Sequence, residues 1–119
     1  MAFAGKTGVS ITLDTLTGND VDVLFNEELG GVVQVLNQDI DAVNDLLTAF
    51  DIADIAHVIG TVNSTDMIEF SRDGVAVLAD SRVAMRTTWA QTTYEMQKRR
   101  DNPACAEQEH LAKQDAADP

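Results

Sequence analysis

The 119 residues predict an α+β domain, a mixed β-sheet backed by helices and followed by a helical connector. Three observations lead there. Val9–Asp14 alternates Val, Ile and Leu with Ser, Thr and Asp, the period-two pattern of a half-buried strand. Ile40, Val43, Leu47 and Phe50 recur at helical spacing with Leu46 beside them, which makes one amphipathic helix. Residues 82–101 contain neither Gly nor Pro, so a helix of roughly 30 Å at 1.5 Å per residue can run through them.

In chain order the reading is strand, short helix, strand, helix, strand, hairpin, helix, helix. Met1-Ala2-Phe3-Ala4-Gly5 reads as the last turn of a helix with Gly5 as its stop, so the chain is expected to begin inside an element, as a truncated piece. Gly18–Asp20 turns the chain after the first strand, and Asp20 is placed to cap a short helix carrying Val21, Leu24 and Phe25. Gly30-Gly31 precedes Val32–Leu36, a near-continuous apolar run of the kind buried on both faces of a sheet. Asp39 is placed to cap the amphipathic helix through Phe50, and His57–Val62 reads as the next strand. Met67–Phe70 and Val75–Ala79 flank Ser71-Arg72-Asp73-Gly74, where Asp73-Gly74 suits the positive backbone angles of a tight hairpin turn. Asp80 or Ser81 caps the long helix. Asn102 caps the last one, with Pro103 at its first position, where the missing N–H costs nothing. Beyond His110, LAKQDAADP loses its apolar spacing and is expected to fray.

The long helix carries two apolar stripes. Met85, Trp89, Thr92 and Met96 lie on one face, and Val83, Thr87, Ala90 and Tyr94 nearly opposite. A helix covering one core needs one stripe, so this one is expected to lie between two bodies. The heavier stripe, with Trp89, is expected against the sheet. Val83, Ala90 and Tyr94, with Arg86 nearby, are expected to face the partner, and exposure of that stripe would allow self-association.

The net charge of −12 is uneven. Residues 1–80 hold 14 acidic residues against Lys6 and Arg72, whereas residues 81–119 hold six of each sign. An acidic body repels phosphate backbones, which argues against nucleic acid as a partner. No apolar run approaches the roughly 18 residues of a membrane span. The single Cys cannot form an internal disulfide, which fits a reducing cytoplasm.

The residues with chemical potential are few. Glu27 and Glu28 are adjacent, so their side chains point apart, and no third ligand is in view. Gly30-Gly31 lacks the helix start and Lys-Ser/Thr that make a phosphate loop. His57 has no companion at metal spacing. Cys105 and His110, five positions apart, sit near 140° from each other on a helix and cannot act as nucleophile and base within it. No catalytic, cofactor-binding or metal-ligating residue is expected.

The run TTWAQTTYEMQKRRDNPACAEQEH, Thr87 to His110, resembles the segment of the large single-chain phosphoribosylformylglycinamidine synthases that leads from their second synthetase half toward the glutaminase domain. FNEELGGVVQV (Phe25–Val35), HVIG (His57–Gly60), Ser81-Arg82 and the opening Met-Ala-Phe-Ala-Gly resemble the same family in the same order. The resemblance implies that residues 1–80 are part of the C-terminal lobe of an aminoimidazole-ribonucleotide-synthetase-like domain, and 81–119 a connector. It implies a cytoplasmic parent enzyme that uses ATP, magnesium and glutamine in purine biosynthesis, with the remaining domains of its own chain as this segment's partners. The family's nucleotide- and metal-binding motif would precede Met1, and its glutaminase triad would follow Pro119. The segment itself would therefore be scaffold, without activity and without ATP or magnesium of its own. The alternative is a free-standing acidic α+β module that binds a basic protein.

Overall fold

The computed structural model describes residues 1–117. The chain is α+β, with one four-stranded mixed sheet and helices. It divides into two compact units, Met1–Asp14 with the chain from Gly60 onward, and Thr15–Ile59.

The first unit opens with a short helix, α1 (Ala2–Gly5). Its stop is Lys6, in the left-handed region at φ 49°, rather than Gly5, which stays helical. Strand β1 (Gly8–Thr12) follows, with β2 (Gly60–Asn63), β3 (Met67–Arg72) and β4 (Val75–Ser81). The sheet order is β2-β1-β3-β4. β1 runs parallel to β3 and antiparallel to β2, and β3 and β4 form an antiparallel hairpin. The expected turn is present: Asp73 and Gly74 both have positive φ, 51° and 74°. Asp14 braces that turn from the end of β1, its Oδ1 accepting the Asp73 N–H at 2.8 Å.

Register sorts the sheet into two faces. Val9, Val62, Ile68, Ile11, Phe70 and Leu78 share one, and Ser10, Thr61, Glu69, Ala79, Thr12, Ser71 and Ala76 the other. Leu13 and Ile68 are buried. Gly8 permits the close pairing of β1 with the β2–β3 connection, since a Cβ there would strike the Asn63 side chain and the Met67 carbonyl.

Helix α4 (Arg82–Arg100) leaves β4 without a loop, and α5 (Pro103–Ala112) follows it. Both caps are as the sequence predicts. Ser81 Oγ accepts the Ala84 N–H at 3.1 Å, and Asn102 Oδ1 accepts those of Ala104 and Cys105 at 2.9 and 3.4 Å. The tail after His110 is less ragged than expected, because α5 continues to Ala112 and turns follow. Asp118 and Pro119, the end of that tail, lie outside the described residues.

The second unit holds α2 (Asp20–Leu24), a 3₁₀ turn at Asn37–Asp39, α3 (Ile40–Ala49) and a 3₁₀ turn at Ala53–Ile55. Four expectations change here. Asn19, not Asp20, caps α2, its Oδ1 accepting the Asp22 N–H at 3.0 Å. Asp39 occupies the cap position of α3 but makes no side-chain capping bond, because the 3₁₀ turn already leads the backbone into the helix. Val32–Leu36 forms no strand and is largely exposed: its composition suits a sheet, but strand propensity is realised only on a paired, half-buried surface. The strand expected at His57–Val62 starts at Gly60, where pairing with β1 begins, and leaves His57 outside.

The Asp14 brace makes a pH-dependent prediction. The Asp73 N–H, and then the Thr12 side chain, hold the Asp14 carboxyl below the ordinary carboxylate range. A carboxyl with a lowered folded-state pKa adds stability above its unfolded value and loses it as pH falls through the folded one. Asp14→Asn should therefore lower stability at neutral pH. The gap from the parent protein should close on acidification below pH about 4, read by urea melts at stepped pH.

Candidate functional site

Helix α4 is the element on which the candidate surface is built. Arg82, Arg86, Ala90 and Tyr94, each four residues from the next, form its buried stripe. Trp89 and Met96 lie off the part of that stripe formed by Ala90 and Tyr94 and are 75% and 65% exposed. The sequence reading had the stripes reversed. The lighter stripe is inside because small Ala90 allows close approach and Tyr94 fills the space against α5. Two arginines extend it with their aliphatic stems, a contribution that hydrophobic weighting ignores. The heavier stripe has only a partial neighbour, the Phe3 ring of α1 at 6.0 Å from Trp89.

Tyr94 locks α5 to α4. His110 stacks on its ring, with centroids 4.1 Å apart and planes at 14°. Its hydroxyl donates to Glu107 Oε2 at 3.1 Å and accepts from Lys98 Nζ at 3.0 Å. Lys98 also lies 3.7 Å from Glu107 and 5.2 Å from the centre of the ring. The hydrogen bond to Tyr94, helped by the charge of Glu107, holds the Lys98 ammonium above its ordinary pKa. Buried Ala106 completes the contact surface of α5.

Arg82 anchors the other end of α4. Only 2% exposed, it donates from Nε and Nη2 to both carboxylate oxygens of Asp66. Its backbone N–H bonds the Asp66 carbonyl at 2.9 Å, and Nη2 reaches the Ala116 carbonyl at 3.1 Å. Asp66 did not stand out in the sequence, and Arg82 did so only within the Ser81-Arg82 resemblance, with no role attached. One signal was available: a cation in the first turn of a helix opposes the macrodipole and needs a specific anion.

Two shallow depressions accompany these features. One, of 280 Å³, lies on the exposed side of α4 among Gln91, Thr92, Glu95, Met96 and Arg99. The other, of 480 Å³, lies over the polar sheet face, where Ser10, Thr12, Thr61, Ser71 and Glu69 contribute hydroxyls and a carboxylate. There Asn63 Nδ2 donates to Ser10 Oγ at 3.0 Å, which donates to Glu69 Oε2 at 3.2 Å. The residues weighed for chemistry are scattered. Glu27, Glu28, Gly30, Gly31 and His57 are exposed in the second unit. Cys105 is free and exposed, whereas His110 is packed on Tyr94. Among the described residues, no group of three or more His, Cys, Asp or Glu could hold a metal ion. No described helix is long and apolar enough to cross a membrane.

No model of a known protein family matches the chain.

The inverted stripes predict opposite costs for two aromatic truncations. Tyr94→Ala should cost about 3–5 kcal/mol, the range for removing a core aromatic. Trp89→Ala should stay within about 0.5 kcal/mol, as for other surface changes. Urea melts followed by far-UV circular dichroism measure both, and equal losses would contradict the assignment.

Proposed function

We propose that this chain is a structural part of a phosphoribosylformylglycinamidine synthase, from the end of its second synthetase half into the connector that leads to the glutaminase domain. The observation that carries the reading is the string Thr87–His110, with Phe25–Val35 and His57–Gly60 in the same order upstream. Strings of that length and composition, including Trp89, Tyr94 and the Arg100-Asp101-Asn102-Pro103 break, are far more specific than a short glycine motif.

Two features of the structure support it. The exposed Trp89 and Met96 side of α4 suits a helix that lies between bodies. The unit Thr15–Ile59 has no fully buried residue and exposes Phe25, Leu29, Val33, Phe50 and Ile55, as expected of a segment completed by neighbouring domains. On this reading the parent is a cytoplasmic, glutamine-dependent C–N ligase of purine biosynthesis that consumes ATP with magnesium. This chain braces that machinery. By itself it binds neither nucleotide nor metal, and a second copy on the Trp89 face would be a by-product of separation from the parent.

A segment exchange tests the reading. The chain would replace the matching segment of a working enzyme of this family, in cells that need that enzyme for growth without purines. Growth, with ATP- and glutamine-dependent amidine formation by the purified hybrid, is the expected result. A soluble hybrid without activity would overturn the reading in favour of an independent acidic module.

A further inference from the structure

We infer that residues Lys113–Ala117 form a strap, clamped by Arg82 and Lys6, that sets where the polypeptide leaves the first unit. The lengths of the two helices require a return leg. α4 has 19 residues and α5 has 10, so α5 retraces only about half of the roughly 28 Å of α4. The five residues that follow can span at most about 17 Å, enough to bring the chain back to the N-terminal end of α4. That is where they are held.

The clamp has two jaws. Arg82 Nη2 donates to the Ala116 carbonyl at 3.1 Å, and Lys6 Nζ donates to the Ala117 carbonyl at 2.9 Å. They join the tail to positions 34 and 111 residues away in sequence. Lys6 is the left-handed stop of α1, and Arg82 begins α4 and is bound to Asp66 between β2 and β3. One strap thus ties α1, the β2–β3 connection and the start of α4 to the outgoing chain. The inner jaw is strongly committed. Arg82 is nearly sealed from water, and its Nη1 has no hydrogen-bond partner among the described residues. Lifting the tail would remove an acceptor from a guanidinium already short of one, so the strap holds against thermal opening. Lys113 is steadied by its own bond to Glu109 Oε1 at 2.9 Å, so the strap starts from a fixed point. Resting on the reading proposed above, its role in the parent is to aim the outgoing connector from the α1 side of the domain, and the far end of α4 is left clear.

The test uses this chain with a nitroxide attached at Ala117→Cys in a Cys105→Ser background, Cys105 being exposed and the only native thiol. The spin-label spectrum should show an immobilised probe. Lys6→Met, an exposed change that spares the interior, should speed the probe's motion several-fold, and Arg82→Lys should speed it further, with far-UV dichroism unchanged under Lys6→Met. A probe already fast in the parent chain, or one unaffected by Lys6→Met, overturns the strap even if Arg82→Lys fails to fold. Failure of the segment exchange would remove the parent enzyme and leave this result standing.

Discussion

A guanidinium taken out of water loses far more solvation than a single contact returns, so Arg82 can be buried only where several acceptors meet. The structure brings them from separate parts of the chain: both carboxylate oxygens of Asp66 and the carbonyl of Ala116. Asp66 keeps 39% of its side chain exposed, so the pair retains some solvation, and its carbonyl adds a backbone bond from Arg82. Asp66 itself sits at φ 58°, a conformation that bulky residues resist, and the three bonds it makes to Arg82 hold it there. The direction of α4 follows from this joint. Its first residue is bolted to the β2–β3 connection, and the rotation of the helix about its own axis is fixed with it.

Two anchors set the buried line of α4, Arg82 at its start and the packing of Tyr94 against α5 farther along. Arg86, Ala90 and Tyr94 continue the buried line from Arg82 at intervals of four, a line that drifts round the helix by about 40° per step, so the exposed Trp89 lies beside its start and well away from Tyr94. The two stripes were legible in the sequence, but their assignment was not, because hydrophobic weight favours Trp and Met over Arg and Ala. One anchor is electrostatic and comes from Asp66, sixteen residues upstream and unmarked by any local pattern, and the other is the α5 contact of Tyr94.

Local hydrogen-bond chemistry was readable only in part, since Asp20 and Asp39 do not make the capping bonds expected of them. Ser81, Asn102 and the Asp73-Gly74 turn need only near neighbours, and all three stand as the sequence predicts. Elements that need a distant partner were less readable. Val32–Leu36 has the composition of a buried strand and no strand partner, and the strand near His57 starts only where Gly60 meets Ile11. The same divide separates the chemical residues. The separation of Cys105 from His110 followed from helical spacing, whereas the stacking of His110 on Tyr94 depends on how α5 folds back.

The two units differ in burial, since among the described residues buried ones occur in the first and none in the second. The first is joined by polar contacts that cross long stretches of sequence, such as Asn63 to Ser10, Asp14 to Asp73 and Arg82 to Asp66. In the second, near neighbours also bond, Asn19 to Asp22, Asn26 to Glu28 and Thr48 to the Asn44 carbonyl. It carries nine acidic residues and no Lys or Arg, so its own charges repel one another. Short-range bonds offset the ordering entropy of one turn at a time and give little cooperativity between turns. Phe25, Val33 and Phe50 stay exposed there, so these apolar side chains contribute little burial to the section itself. Its exposed apolar residues accompany the lack of any buried residue in that unit, whereas the exposed Trp89 side of α4 is the outer face of a helix already fixed through Arg82 and Tyr94.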